Sequence, residues 1–356
     1  MNKIVFTGGG SAGHVTPNLA LMAKLRAKGW RAEYIGSRDG IEKQIIASSG
    51  IPYHAISSGK LRRYFDLKNI KDPFRVLLGV GQAYRLLRRI KPDIVFSKGG
   101  FVSVPVVVGA WLNRIPVIIH ESDLTPGLAN KLSVPFAAKV CTTFPETTRH
   151  LPPGKAVSIG LPIREELLQG SKSKGLNICH FSGEKPVLLV MGGSLGAQRI
   201  NEAVRAALPE LLERFQVVHI CGKGQLNSEL ERRHGYRQFE FIQEELPHIL
   251  AMADVVVSRA GATSIFEFLS LSKPMLLIPL TRGQSRGDQI MNAESFERQG
   301  YAAVLPEEQL TPERLVLDVS QLYAHREQVQ ARMPKQAGRA SAEAAVRLIE
   351  ETAAKA

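Results

Sequence analysis

The sequence predicts an α/β protein of two facing Rossmann-like domains, each with a parallel sheet, separated by an interdomain cleft. Three observations predict it. Glycine-rich loops at Gly8–His14 (GGGSAGH) and Gly192–Gln198 (GGSLGAQ) follow the apolar runs Lys3–Thr7 and Val187–Met191, and each leads into a stretch of helical period. Strand, glycine turn and helix in that order aim backbone N–H groups and a helix dipole at an anion. The loops start 184 residues apart, at Gly8 and Gly192, which is too far for one mononucleotide unit, and 356 residues suit two domains.

The first half alternates strands and helices. Leu19–Leu25 has the apolar spacing of a helix, with Gly29 as its C-terminal cap. Arg31–Ile35 and Tyr53–Ser57 read as strands, and Leu67–Ile90 as a long helical region interrupted near Pro73. Ile94–Phe96 and Pro116–Ile119 are further buried strands. In the second half Gln216–Ile220, Val255–Val257 and Met275–Pro279 are expected strands, with helices between them, and residues 169–185 read as a polar loop. The prolines and glycines of Leu151–Ile163 mark the boundary, giving domains over 1–160 and 161–336. The alanine-rich tail, 337–356, is expected to form a helix that packs back on the protein.

Composition narrows the class. Hydrophobic residues at 44% and charged residues at 22% suit a soluble globular chain. Cys141, Cys179 and Cys221 lack metal-type spacing and are expected to pack as small apolar groups in a reducing cytoplasm. No signal peptide is expected ahead of the first strand, and no apolar run is long enough to cross a bilayer. The net charge of +13 is lopsided: residues 1–160 hold 23 Lys and Arg against 9 Asp and Glu, and the remainder is close to neutral. A basic half implies an anionic partner. With no helix-turn-helix, RNP or zinc module to indicate nucleic acid, the expected partner is an anionic cytoplasmic membrane surface. Lys60–Arg89 mixes bases with bulky apolar residues in the manner of a surface seated among lipid headgroups; the plainer reading is an amphipathic helix packed on the sheet.

Several segments gather chemistry at strand ends. His14 closes the first loop, where an imidazole can take a proton or simply bond a local carbonyl. Lys98-Gly99-Gly100-Phe101 forms a third glycine turn, and His120-Glu121-Ser122-Asp123 ends a buried strand with acids and a histidine. In the second half, Ser194 lies in the glycine loop, and Ser258–Glu267 has small residues that let a ligand approach the backbone. Glu267 could accept both hydroxyls of a ribose, or merely complement the helix dipole. Gln289 and Asn292 offer amides to sugar hydroxyls, or act as caps. Two phosphate-type loops exceed what a dehydrogenase needs for one dinucleotide, so a nucleotide-sugar enzyme is expected.

Taken in order, GGGSAGH, Gly99-Gly100-Phe101, HESDLTPGLANK (120–131), Gly160–Arg164, MGGSLGAQRIN (191–201), SRAGATSIFE (258–267) and DQIMNA (288–293) resemble the MurG family, the UDP-N-acetylglucosamine transferases that complete lipid II in peptidoglycan synthesis. The likeness runs from residue 3 to about 335 and implies a GT-B fold, an inverting mechanism and a peripheral place on the cytoplasmic face of the cell membrane. It implies donor contacts at Ser11, Ala12, Gly13, Asp123, Arg164, Ser194, Ile242, Ala262, Thr263, Ser264, Ile265, Phe266, Glu267, Gln289 and Asn292. His14, Glu121 and Asp123 are the candidate bases, and Asn201 is a further cleft position. The implied partners are UDP-GlcNAc, lipid I, the anionic membrane surface and other cell-wall synthesis proteins. Two positions depart from the family pattern: Asp123 stands where an asparagine is usual, and Phe101 where a tyrosine is usual.

No DxD-like acidic pair follows a strand, so neither a metal nor another cofactor is expected; main-chain amides and dipoles take that role. The expected reaction is transfer of N-acetylglucosamine to the 4-hydroxyl of lipid I. The alternatives are a GT-B glycolipid synthase using diacylglycerol, a UDP-GlcNAc 2-epimerase, and a catalytically dead donor-binding subunit.

Overall fold

The computed structural model describes residues 1–59, 72–192, 197–285, 287–334 and 337–355. The chain divides into two compact units, the first Met1–Arg164 with Gly338–Ala356, the second Glu165–Ala337. Among the described residues the first unit carries seven strands: β1 (Lys3–Thr7), β2 (Arg31–Ser37), β3 (Tyr53–Ile56), β4 (Ile94–Ser97), β5 (Val117–Glu121), β6 (Lys139–Thr142) and β7 (Ala156–Ser158). They pair in the order β3-β2-β1-β4-β5-β6-β7, all parallel. β1, β4 and β5 are apolar on both faces because helices cover both sides of the sheet. The strand order reverses between β1 and β4, where Thr7 lies opposite Ser97. A doubly wound sheet opens for ligands at such a point.

One face of this sheet is covered by the helix Thr16–Ala27 and, from the far end of the sequence, by the helix Ala337–Ala353. Ala342, Ala345, Val346 and Ile349 of the latter follow one helical stripe and pack among Ile4, Phe6, Leu21, Leu25 and Trp30. An exposed pair, Lys28 with Glu350 at 2.7 Å, adds little beside that burial. The other face is covered by the helices Asp72–Ile90 and Ser103–Leu112, through Ala83, Leu87, Val106, Val107 and Ala110. The expected helix over Leu67–Ile90 lies partly outside the described residues. Its described part starts at Asp72, with Pro73 second, where a missing N–H costs nothing.

The second unit repeats the design. β8 (Val187–Met191), β9 (Gln216–Ile220), β10 (Tyr236–Phe239), β11 (Val255–Ser258), β12 (Met275–Leu277) and β13 (Ala302–Val304) form a parallel sheet in the order β10-β9-β8-β11-β12-β13. The helix Gln198–Arg214 buries Ile200, Val204, Ala207, Leu208 and Leu211 against it. The polar loop expected over 169–185 instead contains a helix, Lys172–Cys179. The Ser171 side chain caps it at the Lys174 N–H, and Gly175 and Cys179 are buried where it meets the helix Leu246–Met252. Two buried contacts in eight residues are too few for a periodicity to register. All three cysteines are free and buried, and no described helix is long and apolar enough to cross a membrane.

Candidate active site

The glycine loop after β1 is braced from below. Tyr34 donates from its hydroxyl to the Gly8 carbonyl at 2.7 Å, and Tyr53 donates to the Ser37 carbonyl at 2.5 Å. Glu42 is fully buried and accepts from the N–H groups of Gly10 (3.3 Å) and Ser37 (3.0 Å) and from the Ser37 hydroxyl. A Cβ at Gly9 would come within 2.7 Å of that carboxylate, so the loop closes over Glu42 only with glycine there. Gly9 donates its own N–H to the Gly99 carbonyl at 3.2 Å, and Gly100, at φ +84°, presses within 2.2 Å of the Gly9 carbonyl where its Cβ would be. The expectation that this loop offers its amides to a diphosphate is therefore corrected for Gly9 and Gly10. Both N–H groups are spent on the protein, one of them on a carboxylate.

His14 ends the short 3-10 turn Ala12–His14. Its Nδ1 lies 2.9 Å from the Gly9 carbonyl and 3.2 Å from the Ser11 hydroxyl. A carbonyl can only accept, so the bond requires a proton on Nδ1, and any further proton the ring takes up goes to Nε2. The bond to a local carbonyl and a role as base are thus compatible.

At the end of β5 the acids do different work from one another. Glu121 accepts from the N–H groups of Asp123 and Gly127, both at 3.0 Å, and from the Asn130 amide at 2.8 Å, clasping the loop that follows. Both oxygens of that carboxylate are engaged by the loop. His120 is buried and donates from Nε2 to the Gly160 carbonyl at 2.9 Å. Burial first, then the neighbouring Lys98 charge, pushes its pKa well down and keeps it neutral. The Nδ1 of His120 and the Ser122 hydroxyl both hold the Lys98 amine in short hydrogen bonds. Arg164 keeps a buried Nε without a hydrogen-bond partner among the described residues, as suits a side chain that awaits an anion.

In the second unit the glycine loop's Ser194 lies outside the described residues. The helix Ala262–Ser270 starts at Gly261, which has no side chain to cap it. Glu267 is buried in its second turn. Asn292, fully buried, donates to the Ala260 carbonyl at 3.2 Å, and Gln289 accepts from the Leu280 N–H at 3.2 Å. These two amides fix the loops after β11 and β12 relative to each other. Ile242 is buried, so only its backbone could meet a ligand. Asn201 lies in the core, accepting from His219 Nε2 at 2.8 Å and donating to the Cys221 carbonyl.

Sequence reasoning missed Glu42, Lys98 as a buried amine, and Arg259. Arg259 follows β11 directly and is buried, donating to the Ile278 carbonyl at 3.1 Å and pairing with the fully buried Glu307. A signal existed for two of them: Lys98 and Arg259 are single charges set between an apolar run ending in serine and a glycine turn. Nothing local marks Glu42 or Glu307 as their partners' equals. Among the described residues no cluster of three or more His, Cys, Asp or Glu could hold a metal ion.

Two doubly wound units in one chain, each with its polar residues at the carboxyl edge of a parallel sheet, define the GT-B fold. The chain belongs to glycosyltransferase family 28, whose N-terminal domain matches residues 4–142 and whose C-terminal domain matches residues 187–349. It is 58% identical, over 99% of its length and all of the relative's, to a Bacillus cereus protein named UDP-N-acetylglucosamine–N-acetylmuramyl-(pentapeptide) pyrophosphoryl-undecaprenol N-acetylglucosamine transferase 2. Among solved structures it is similar to MurG of Acinetobacter baumannii, with a TM-score of 0.76 at 25% identity over 99% of this chain and 100% of that one. UDP-GlcNAc 2-epimerase of Neisseria meningitidis shares the fold alone, with a TM-score of 0.68 at 14% identity over 99% and 100% of the two chains.

Proposed function

We propose that this chain transfers N-acetylglucosamine from UDP-GlcNAc to the 4-hydroxyl of the muramoyl sugar of lipid I, giving lipid II for peptidoglycan synthesis. The observation that carries this reading is the 58% identity over full length to a relative bearing that name; the epimerase likeness is one of fold only. In the reaction the acceptor oxygen bonds to the anomeric carbon as the bond to UDP breaks. The electron pair leaves on the diphosphate oxygen, and a base receives the hydroxyl proton, giving a β-1,4 link. His14 is that base, through Nε2. Glu121 acts as a loop clasp, while Asp123 remains beside the reacting groups. The second unit holds the donor: the N–H groups opening the helix Ala262–Ser270 polarise the leaving diphosphate, and the resemblance assigns Arg164, the last residue of the first unit's N-terminal segment, to the donor as well. Thr263 to Phe266 line the same helix start, Ile242 offers its backbone, and Gln289 and Asn292 hold the loops. Ser11, Ala12, Gly13 and Ser194 complete the set that the resemblance assigns to the donor.

The decisive experiment incubates the protein with UDP-GlcNAc, with and without a lipid I analogue. UDP release only with the acceptor supports the transferase; release or epimerisation without it supports the epimerase. Within this reading Glu267 holds the ribose. Glu267→Ala is then expected to raise the donor KM by roughly tenfold to a hundredfold, the loss of charge-assisted hydrogen bonds worth about 1.5–3 kcal/mol. An unchanged KM would put the ribose elsewhere.

We also propose that the first unit docks on an anionic membrane surface. The helix Asp72–Ile90 exposes Phe74 (71%), Leu77 (67%) and Leu78 (56%) beside the exposed bases Arg85, Arg88 and Arg89. The helix packed beside it exposes Trp111 and Leu112. Large apolar side chains next to guanidinium groups suit a headgroup layer. The bases expected over Lys60–Phe65 lie outside the described residues. Flotation with anionic vesicles should fade as salt rises from about 0.1 to about 1 M, where the Debye length falls from about 10 to about 3 Å. It should also weaken in Leu77→Ser/Leu78→Ser. Binding indifferent to lipid charge would refute it.

A further inference from the structure

Lys98 is 1% exposed, at the carboxyl end of β4 and just before the Gly99-Gly100 turn. An ammonium cut off from water persists only with hydrogen-bond partners and countercharge. The hydrogen bonds come from β5 and the residue after it: His120 Nδ1 and the Ser122 hydroxyl. From the β1 side, Gly8 leaves room for the lysine stem, since a Cβ there would stand 3.1 Å from Lys98 Cβ. The titratable groups facing the amine are His120 on β5, Glu121 at its end, Asp123 in the loop beyond, and Cys141 on β6. His120 is neutral, and burial pushes the Cys141 thiol up to about 12, so neither supplies negative charge. Glu121 and Asp123 do. Glu121 already serves the loop's own N–H groups. Asp123, two residues on, carries the second charge.

We propose that Lys98 is a positioning residue for the glycosyl transfer: its buried amine, held by His120 and Ser122, is the countercharge that fixes Asp123 and the 121–127 loop at the end of the sheet. The inference rests on the transferase reading above. Burial lowers the Lys98 pKa from 10.5 to about 7, with Glu121, Asp123 and Cys141 opposing the fall in that order. The countercharge is therefore present below about pH 7 and fades above it, while in the unfolded chain the amine keeps its proton up to about 10.5. Between those values the unfolded state binds more protons, so this group makes stability rise with pH.

The test compares wild type, Lys98→Met, Asp123→Asn and the double variant from about pH 6 to about pH 9. At the acidic end Lys98→Met is expected to lower kcat by about tenfold or more with the donor KM within about threefold, a loss confined to the transition state. Wild-type kcat should fall toward the Lys98→Met value as pH rises, whereas the variant loses that fall. Adding Asp123→Asn to Lys98→Met should cost much less than Asp123→Asn alone, because the charges act as a pair. Multiplicative effects, or a Lys98→Met enzyme that keeps the wild-type profile, overturn the inference. Should Lys98→Met fold poorly, Ser122→Ala removes one anchor at constant charge, and it too must lower kcat and displace the pH midpoint, or the inference falls. The melting temperature of wild type relative to Lys98→Met should also climb above about pH 7 without any substrate. A flat difference overturns the inference by itself. A climbing difference in a protein that releases no UDP with the lipid I analogue overturns the transferase reading instead.

Discussion

His14→Ala is expected to lower kcat by about 10²–10⁴-fold, the range a positioned base contributes, while the donor KM stays within about threefold. The tautomer of the His14 ring sets this expectation. The Gly9 carbonyl, 2.9 Å from Nδ1, can accept but never donate, so a ring proton is held there and any proton taken up goes to Nε2. The Ser11 hydroxyl, 3.2 Å from the same nitrogen, reinforces the orientation. Alanine removes the imidazole and its bond to Gly9, while Glu42, Tyr34 and the Gly99 carbonyl still hold the glycine loop. Steady-state kinetics on both substrates checks it. Equal losses in kcat and donor affinity would make His14 a binding residue, and a kcat within about threefold of wild type would exclude it as the base.

The sequence displays what is repeated or periodic. Val187–Met191 and Val255–Val257 are apolar throughout because the sheet is covered on both faces, and such runs announce themselves. The glycine loops mark where strands end, and with them the edge on which the candidate residues gather. Short strands at the sheet margins, β7 and β13 among them, carry no such run: three residues half covered by neighbours look like loop. The helix Lys172–Cys179 was illegible for the same reason. Polar partners were harder still. That Gly10 spends its N–H on Glu42, 32 residues along, or that Arg259 meets Glu307, depends on tertiary approach with no local trace. The first glycine loop shows the consequence. Its composition invites an anion, yet its geometry has already satisfied two of its donors.

That same carboxylate underlies the largest expected loss of stability. Glu42→Ala is expected to destabilise the first unit by about 3–6 kcal/mol, the cost of orphaning two backbone N–H groups that lose charge-assisted bonds and of leaving a void. The neighbours cannot compensate. Tyr53 donates to the Ser37 carbonyl, Tyr34 to that of Gly8, and the two rings stack at 5.9 Å with Glu42 beneath the loop they support. Burial first, and for both rings the Glu42 charge as well, raises these phenols' pKa values, so they stay protonated and keep donating to the Gly8 and Ser37 carbonyls. Glu42→Gln keeps one acceptor for Ser37 but turns an N–H toward another N–H, so it should lose less, about 1–3 kcal/mol. Urea unfolding followed by a probe in the first unit checks both values, since two units need not melt together. A loss below about 1 kcal/mol in the alanine variant would mean that water replaces the carboxylate and that the loop stands without it.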